Sequence, residues 1–132
     1  ITLIDIDARA VEIARRNVPG DGVTTLWADV RTAPGLPAGL DFVVTNPPFH
    51  DGGDEDKSLG QAFIQKAAQM LRPGGVLWLT ANRHLPYEAT LKPLFASADQ
   101  IAQANGFKIY AAKKATGKAA APSKARASKV SR

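Results

Sequence analysis

Asp41-Phe42-Val43-Val44-Thr45-Asn46-Pro47-Pro48-Phe49-His50-Asp51-Gly52-Gly53 is the stretch that decides the fold. Residues 42–45 form an apolar, β-branched run of the kind found in a buried strand. The strand must end at Asn46, because neither Pro47 nor Pro48 can donate to a ladder. Each proline holds φ at about −65° and keeps the residue before it extended. The Asn46 side chain and the Pro47 carbonyl thus become outward-facing acceptors in a stiff loop. At the carboxyl end of a strand in an open α/β sheet, that is the ligand-binding edge, and Phe49 adds an aromatic face for stacking a flat base. A bare Asn-Pro reads as an ordinary turn; a strand before it and a helix after it favour the binding reading.

Upstream, residues 1–6 are a continuous apolar stretch suited to a parallel strand buried on both faces, ending in a carboxylate at Asp5. Asp7 is placed to cap a helix whose apolar face carries Ala10, Val11, Ile13, Ala14 and Val18. A carboxylate at such a strand tip accepts hydrogen bonds from ribose hydroxyls; as a capping or turn residue Asp5 is equally well explained. Residues 23–28 read as the next strand, leading to Asp29-Val30. There Asp29 is an acceptor for an exocyclic amine and the Val30 amide a donor to a ring nitrogen, or the pair is a plain turn.

Downstream, residues 50–57 contain two glycines and four acids and read as a mobile loop, either a lid or simply solvated. Ser58 is expected to cap a helix with Leu59, Phe63, Ala67, Met70 and Leu71 at helical spacing, Phe63 and Met70 as core residues. Arg72-Pro73-Gly74-Gly75 stops it, and residues 76–81 form another buried type of strand. His84 or Tyr87 then either faces a substrate or sits as a surface histidine and a core tyrosine. Asn105-Gly106 between residues 99–104 and 107–112 is a hairpin signal, since both residues tolerate positive φ.

The 132 residues fit one domain of α/β class. With no cysteine and only His50 and His84 as imidazoles, a zinc site is not expected. The net charge of +5 belongs to the end of the chain: seven of 17 basic residues and none of the 12 acids lie from Lys113 onward, leaving ten against 12 before it. We therefore divide the chain into residues 1–112 and a basic tail, 113–132, disordered from residue 115. No apolar run is long enough to cross a bilayer, and a cytoplasmic location is expected. Oligomeric state is not legible.

This order of elements, with Asn46-Pro47-Pro48-Phe49 and Pro73-Gly74-Gly75, resembles the class I S-adenosylmethionine-dependent methyltransferases over residues 1–112. Residues 46–52, 81–87 (Ala-Asn-Arg-His-Leu-Pro-Tyr) and 106–110 look more narrowly like the ribosomal RNA guanine-N2 methyltransferases of the small-subunit RsmC type, with the large-subunit RlmG type close behind. The resemblance implies a Rossmann-like sheet closed by an antiparallel hairpin. It implies S-adenosylmethionine as cofactor, bound by Asp5, Ile6, Asp29, Val30 and Asn46. The catalytic motif would be Asn46, Pro47, Pro48 and Phe49, with Phe49, His50 and Tyr87 against the substrate. Ribosomal RNA or a ribosomal subunit would be the partner. It also implies a first strand with a glycine-rich turn before Ile1, central between the strands bearing Asp5 and Asn46, and a preceding noncatalytic domain; the chain reads as the later, N-terminally incomplete part of a longer protein. Adenine-N6 or glutamine-N5 methylation, for which tyrosine is usual in place of Phe49, and a catalytically dead RNA-binding fragment are the competing readings.

Overall fold

The computed structural model describes residues 1–51, 54–55 and 57–116. Its first unit is strand β1 (Thr2–Asp5), helix α1 (Ala8–Asn17) and strand β2 (Thr24–Trp27), with β1 and β2 parallel and Asp5 opposite Trp27. Asp7 caps α1 by accepting the Arg9 amide at 2.9 Å. Of the apolar face expected on α1, Val11 is buried, whereas Ile13 and Val18 stay 57% and 42% exposed because no described element packs over them.

The second unit holds strand β3 (Leu40–Thr45), two short strands β4 (His50–Asp51) and β5 (Asp54–Glu55), helix α2 (Lys57–Met70), strand β6 (Leu71–Asn82), helix α3 (Glu88–Leu94), and strands β7 (Ser97–Ala104) and β8 (Phe107–Lys113). The sheet order is β3-β6-β8-β7, with β3 parallel to β6 and the remaining pairs antiparallel. Asn105 and Gly106 have φ of 53° and 81°, the double left-handed turn that matches the twist of a two-residue hairpin. The loop expected over 50–57 carries a two-rung antiparallel ladder, His50 to Glu55 and Asp51 to Asp54.

Three boundaries differ from expectation. The helix begins at Lys57, so Ser58 lies inside its first turn. Strand β6 begins at Leu71, directly after the helix, and absorbs Arg72-Pro73-Gly74-Gly75 as a bulge between the Leu40/Leu71 and Phe42/Val76 rungs. A Cβ on Gly75 would stand 2.9 Å from the carbonyl oxygens of both Arg72 and Leu40, so only glycine fits where the chain is pinched. The sheet also extends past residue 112: Lys113 closes β8, and Lys114 donates from its amide to Gly75 O at 2.9 Å and from Nζ to Leu71 O at 2.7 Å. Residues 117–132 of the basic tail lie outside the described residues.

Helices α2 and α3 cover one face of the larger sheet, burying Ile64, Leu77, Leu79, Leu91, Tyr110 and Ala112 among others. Glu88, at the start of α3, ties that helix to β8 by accepting from Lys108 Nζ at 3.1 Å and from the Tyr110 hydroxyl. The opposite face is uncovered among the described residues: Phe42 is 62%, Val44 78% and Trp78 37% exposed. Strands apolar on both faces are therefore present as read, yet only one face is covered. Among the described residues no ladder joins β1 to β3, and the two parallel units face each other across a cleft with edges that none of these residues pairs.

Candidate functional site

The cleft has a volume of about 1180 Å³ and runs between β1 and β3. Its walls are residues 1–6 and 40–46 taken consecutively, so the strands present backbone edges rather than one face. Residues 28–31 and Pro48 close the end to which the parallel strands point, and Leu59, Phe63, Ala67 and Met70 of α2 line it too. Phe63 and Met70, read as plain core residues, thus border the open space.

Asp5, Ile6, Asp29, Val30 and Asn46 all border this one cleft. They converge because each stands at or just past the last residue of a parallel strand, where the fold leaves chain ends free to bind. Asp5 Oδ1 accepts the Asp7 amide at 2.8 Å, which fixes the turn out of β1. Asp29 is gripped by Arg31: Oδ1 accepts the Arg31 amide and Nε, both at 2.9 Å, and Oδ2 accepts Nη2 at 2.7 Å. These Arg31 hydrogen bonds hold the Asp29 carboxyl below its ordinary value of 3.8. An ionised carboxylate offers about four acceptor sites; the Arg31 fork and amide use three, leaving capacity for one further donor.

Asn46 is exposed, Pro47 is buried and Pro48 borders the cleft. Phe49 packs against the core on its inner side and meets His84 with ring centroids 6.4 Å apart at 87°. The side chain of His50 lies outside the described residues. Tyr87 is a correction. Expected against the substrate, it is 2% exposed and belongs to the core. It lies so close under Gly60 of α2 that a Cβ there would fall 1.9 Å from the Tyr87 hydroxyl. That hydroxyl has no hydrogen-bond partner among the described residues, and burial raises its pKa.

Trp27, which the sequence reading passed over, contributes to the site. Its ring is 70% exposed, yet its Nε1 donates to the Ile6 carbonyl at 2.9 Å, tying the tips of β1 and β2 together beside Asp5. The signal was an indole at a strand end, since its N–H seeks an acceptor. Among the described residues, no group of three or more His, Cys, Asp or Glu side chains could hold a metal, and no helix is long and apolar enough to cross a membrane.

Residues 1–111 match the family profile of the methyltransferase small domain. The chain belongs to that family. Curated relatives of this methyltransferase domain include two proteins named ribosomal RNA small subunit methyltransferase C. The one from Shewanella loihica is 35% identical over 115 residues, covering 85% of this chain and 33% of the relative. The one from Actinobacillus pleuropneumoniae is 38% identical over 115 residues, covering 86% and 34%. The chain thus spans about a third of the length of these relatives. Among solved structures, the T. thermophilus 16S rRNA N2 methyltransferase RsmC, in complex with AdoMet and guanosine, superposes with a TM-score of 0.72 at 33% identity, covering 86% of this chain and 31% of that one. The N-methyltransferase NodS from Bradyrhizobium japonicum, at 17% identity and TM-score 0.64 over 86% of this chain and 65% of that one, shares the fold. The Rossmann-like methyltransferase sheet expected from the order of elements is the fold found.

Proposed function

We propose that the protein carrying this domain transfers a methyl group from S-adenosylmethionine to the exocyclic N2 of a guanine in small-subunit ribosomal RNA, in the cytoplasm where that RNA is found. The observation that carries the reading is the convergence of Asp5, Asp29 and Asn46 on one cleft, in a chain similar to an enzyme solved with AdoMet and guanosine.

The residues present fit the adenosine half of the cofactor. Asp5 is an acceptor for the ribose hydroxyls, Asp29 has one acceptor site left for the adenine amine, and the Val30 amide is a donor for a ring nitrogen. When bound, the cofactor supplies a methyl group already activated on sulfur. The chain's own part is positioning. The Asn46 side-chain oxygen and the Pro47 carbonyl accept the two hydrogens of the guanine amine, turning its lone pair to the methyl donor, and Phe49 stacks on the base. The rigidity of the two prolines means little reorganisation is needed when the base arrives. A guanine within a helix has to be flipped out to reach this loop.

A six-residue strand is ~20 Å long and occupies ~4.8 Å of sheet width and ~10 Å of layer thickness, roughly 950 Å³. A cleft of about 1180 Å³ between two unpaired parallel edges therefore has room for one strand and a margin at the rim. We infer that such a strand completes the sheet in the intact protein, and that residues 1–112 alone neither hold the cofactor fully nor turn over. The basic tail adds phosphate contacts that position RNA without reading its sequence.

The deciding experiment is Asn46→Ala in the intact protein, assayed by labelled methyl transfer to 16S rRNA. Loss of at least about 100-fold in kcat is expected for a misplaced nucleophile. Unchanged transfer would overturn the reading.

A further inference from the structure

Phe49 is the base-stacking residue of the function proposed above, on which this inference rests. Its ring meets a second aromatic group from another loop. His84 follows β6, exposed at the same end of the sheet, and its imidazole stands at 87° to the Phe49 ring at a centroid distance of 6.4 Å. That lies inside the range in which aromatic rings attract edge to face.

The mount under His84 is stiff. The Arg83 amide donates to Gly106 O at 2.8 Å and the Leu85 amide to Asn82 O at 3.0 Å. Leu85 itself is 1% exposed and anchored in the core. The loop is thereby fastened on both sides of His84, to the β7–β8 turn and to the end of β6. Phe49 follows two prolines that fix its backbone and packs its inner side on the core, so what is left to order is the ring's rotation about its side-chain bonds.

We propose that His84 is a positioning residue that holds the plane of Phe49 ready for the incoming base, acting through ring packing rather than proton transfer. An aromatic side chain already ordered in its bound rotamer loses less freedom on stacking. The gain therefore appears in RNA binding, while the chemistry at Asn46 is untouched.

The test compares His84→Ala, His84→Phe and Asn46→Ala in the intact protein, by steady-state methyl transfer to 16S rRNA with cofactor saturating. Losing one edge-to-face pair corresponds to a rise of about 2- to 12-fold in KM for RNA. His84→Ala is expected to show that rise with kcat held and a melting temperature lowered by no more than the few degrees one such pair is worth. His84→Phe is expected to restore KM and to keep the wild-type pH profile. In a Phe49→Leu background, His84→Ala should add no further change in KM, since the ring it orders is gone. The proposal is overturned if His84→Ala leaves KM unchanged, if His84→Phe is as impaired as His84→Ala, or if the His84 effect persists without Phe49. A silent Asn46→Ala, by contrast, strikes the proposed function itself and leaves the His84 comparison readable on its own.

Discussion

The contact between Gly60 and Tyr87 can be tested from both sides. Replacing Gly60 by alanine puts a methyl carbon 1.9 Å from the Tyr87 hydroxyl and 2.5 and 2.7 Å from two ring carbons. The ring is 2% exposed and cannot swing into solvent. Overpacking a core site costs about 1–3 kcal/mol, and alanine returns up to about 1 kcal/mol of helix propensity over glycine. At so short an approach the upper part of the first range applies, so a net loss of about 1–2 kcal/mol is expected. Tyr87→Phe acts in the opposite direction. It removes a buried hydroxyl with no partner among the described residues, a group whose burial costs about 1–3 kcal/mol. The phenylalanine variant should be at least as stable as the parent, with methyl transfer unchanged. In the Gly60→Ala background it should rescue little, because the ring carbons still collide. Urea unfolding of the intact protein, read as a shift in midpoint at constant slope, measures all three variants. A Tyr87→Phe variant that is stable but loses activity would show that the hydroxyl reaches substrate, and the core assignment would be wrong.

Three further outcomes are expected. Trp27→Phe removes the indole N–H that holds the Ile6 carbonyl; a hydrogen bond worth about 0.5–1.5 kcal/mol corresponds to roughly 2- to 12-fold weaker cofactor binding, measurable by calorimetry on the intact protein. Asp29 should titrate below 3.8, and Arg31→Ala should move it back up. Because its folded value is depressed, the stabilisation is present above the unfolded pKa and disappears as pH falls through the folded one, so Arg31→Ala narrows the difference in stability between neutral and strongly acid solution. Deleting residues 117–132 removes five basic residues, and the slope of log affinity for RNA against log salt should flatten by up to about 3.5–4.5.

Local chemistry made much of this legible in the sequence. Asn105-Gly106 names its own turn, Asp7 its own helix, and Asn46-Pro47-Pro48 its own strand end, because each effect is complete within a few residues. Asp5, Asp29 and Asn46 could be placed at strand tips by the same logic, and the parallel order then brings the tips together. Tyr87 stays open between core and substrate in the sequence because its neighbour Gly60, whose contact decides it, stands on another helix. The Arg31 fork on Asp29 was also missed: two residues apart, they pair only because the turn after β2 brings the guanidinium back on its own chain. Apolar patterning marked residues 42–45 and 76–81 as two-faced strands, but no pattern within a chain says what covers the second face of Val44 or Trp78.

Burial is shared unequally between the two halves of the cleft. Among the described residues, Val11 is the only deeply buried apolar side chain of β1–α1–β2; apart from Pro47, the others lie from Leu59 onward. In residues 1–116 taken by themselves, melting should therefore start in β1–α1–β2, with amides of β1 and β2 exchanging by local opening while those of β6 and β8 wait for global unfolding. Asp5 and Asp29 ride on the yielding lobe and Asn46 stands on the firm one. On residues 1–116 alone, capturing a nucleoside then includes the work of settling that lobe, and affinity measured there will understate the strength of the contacts that make the site.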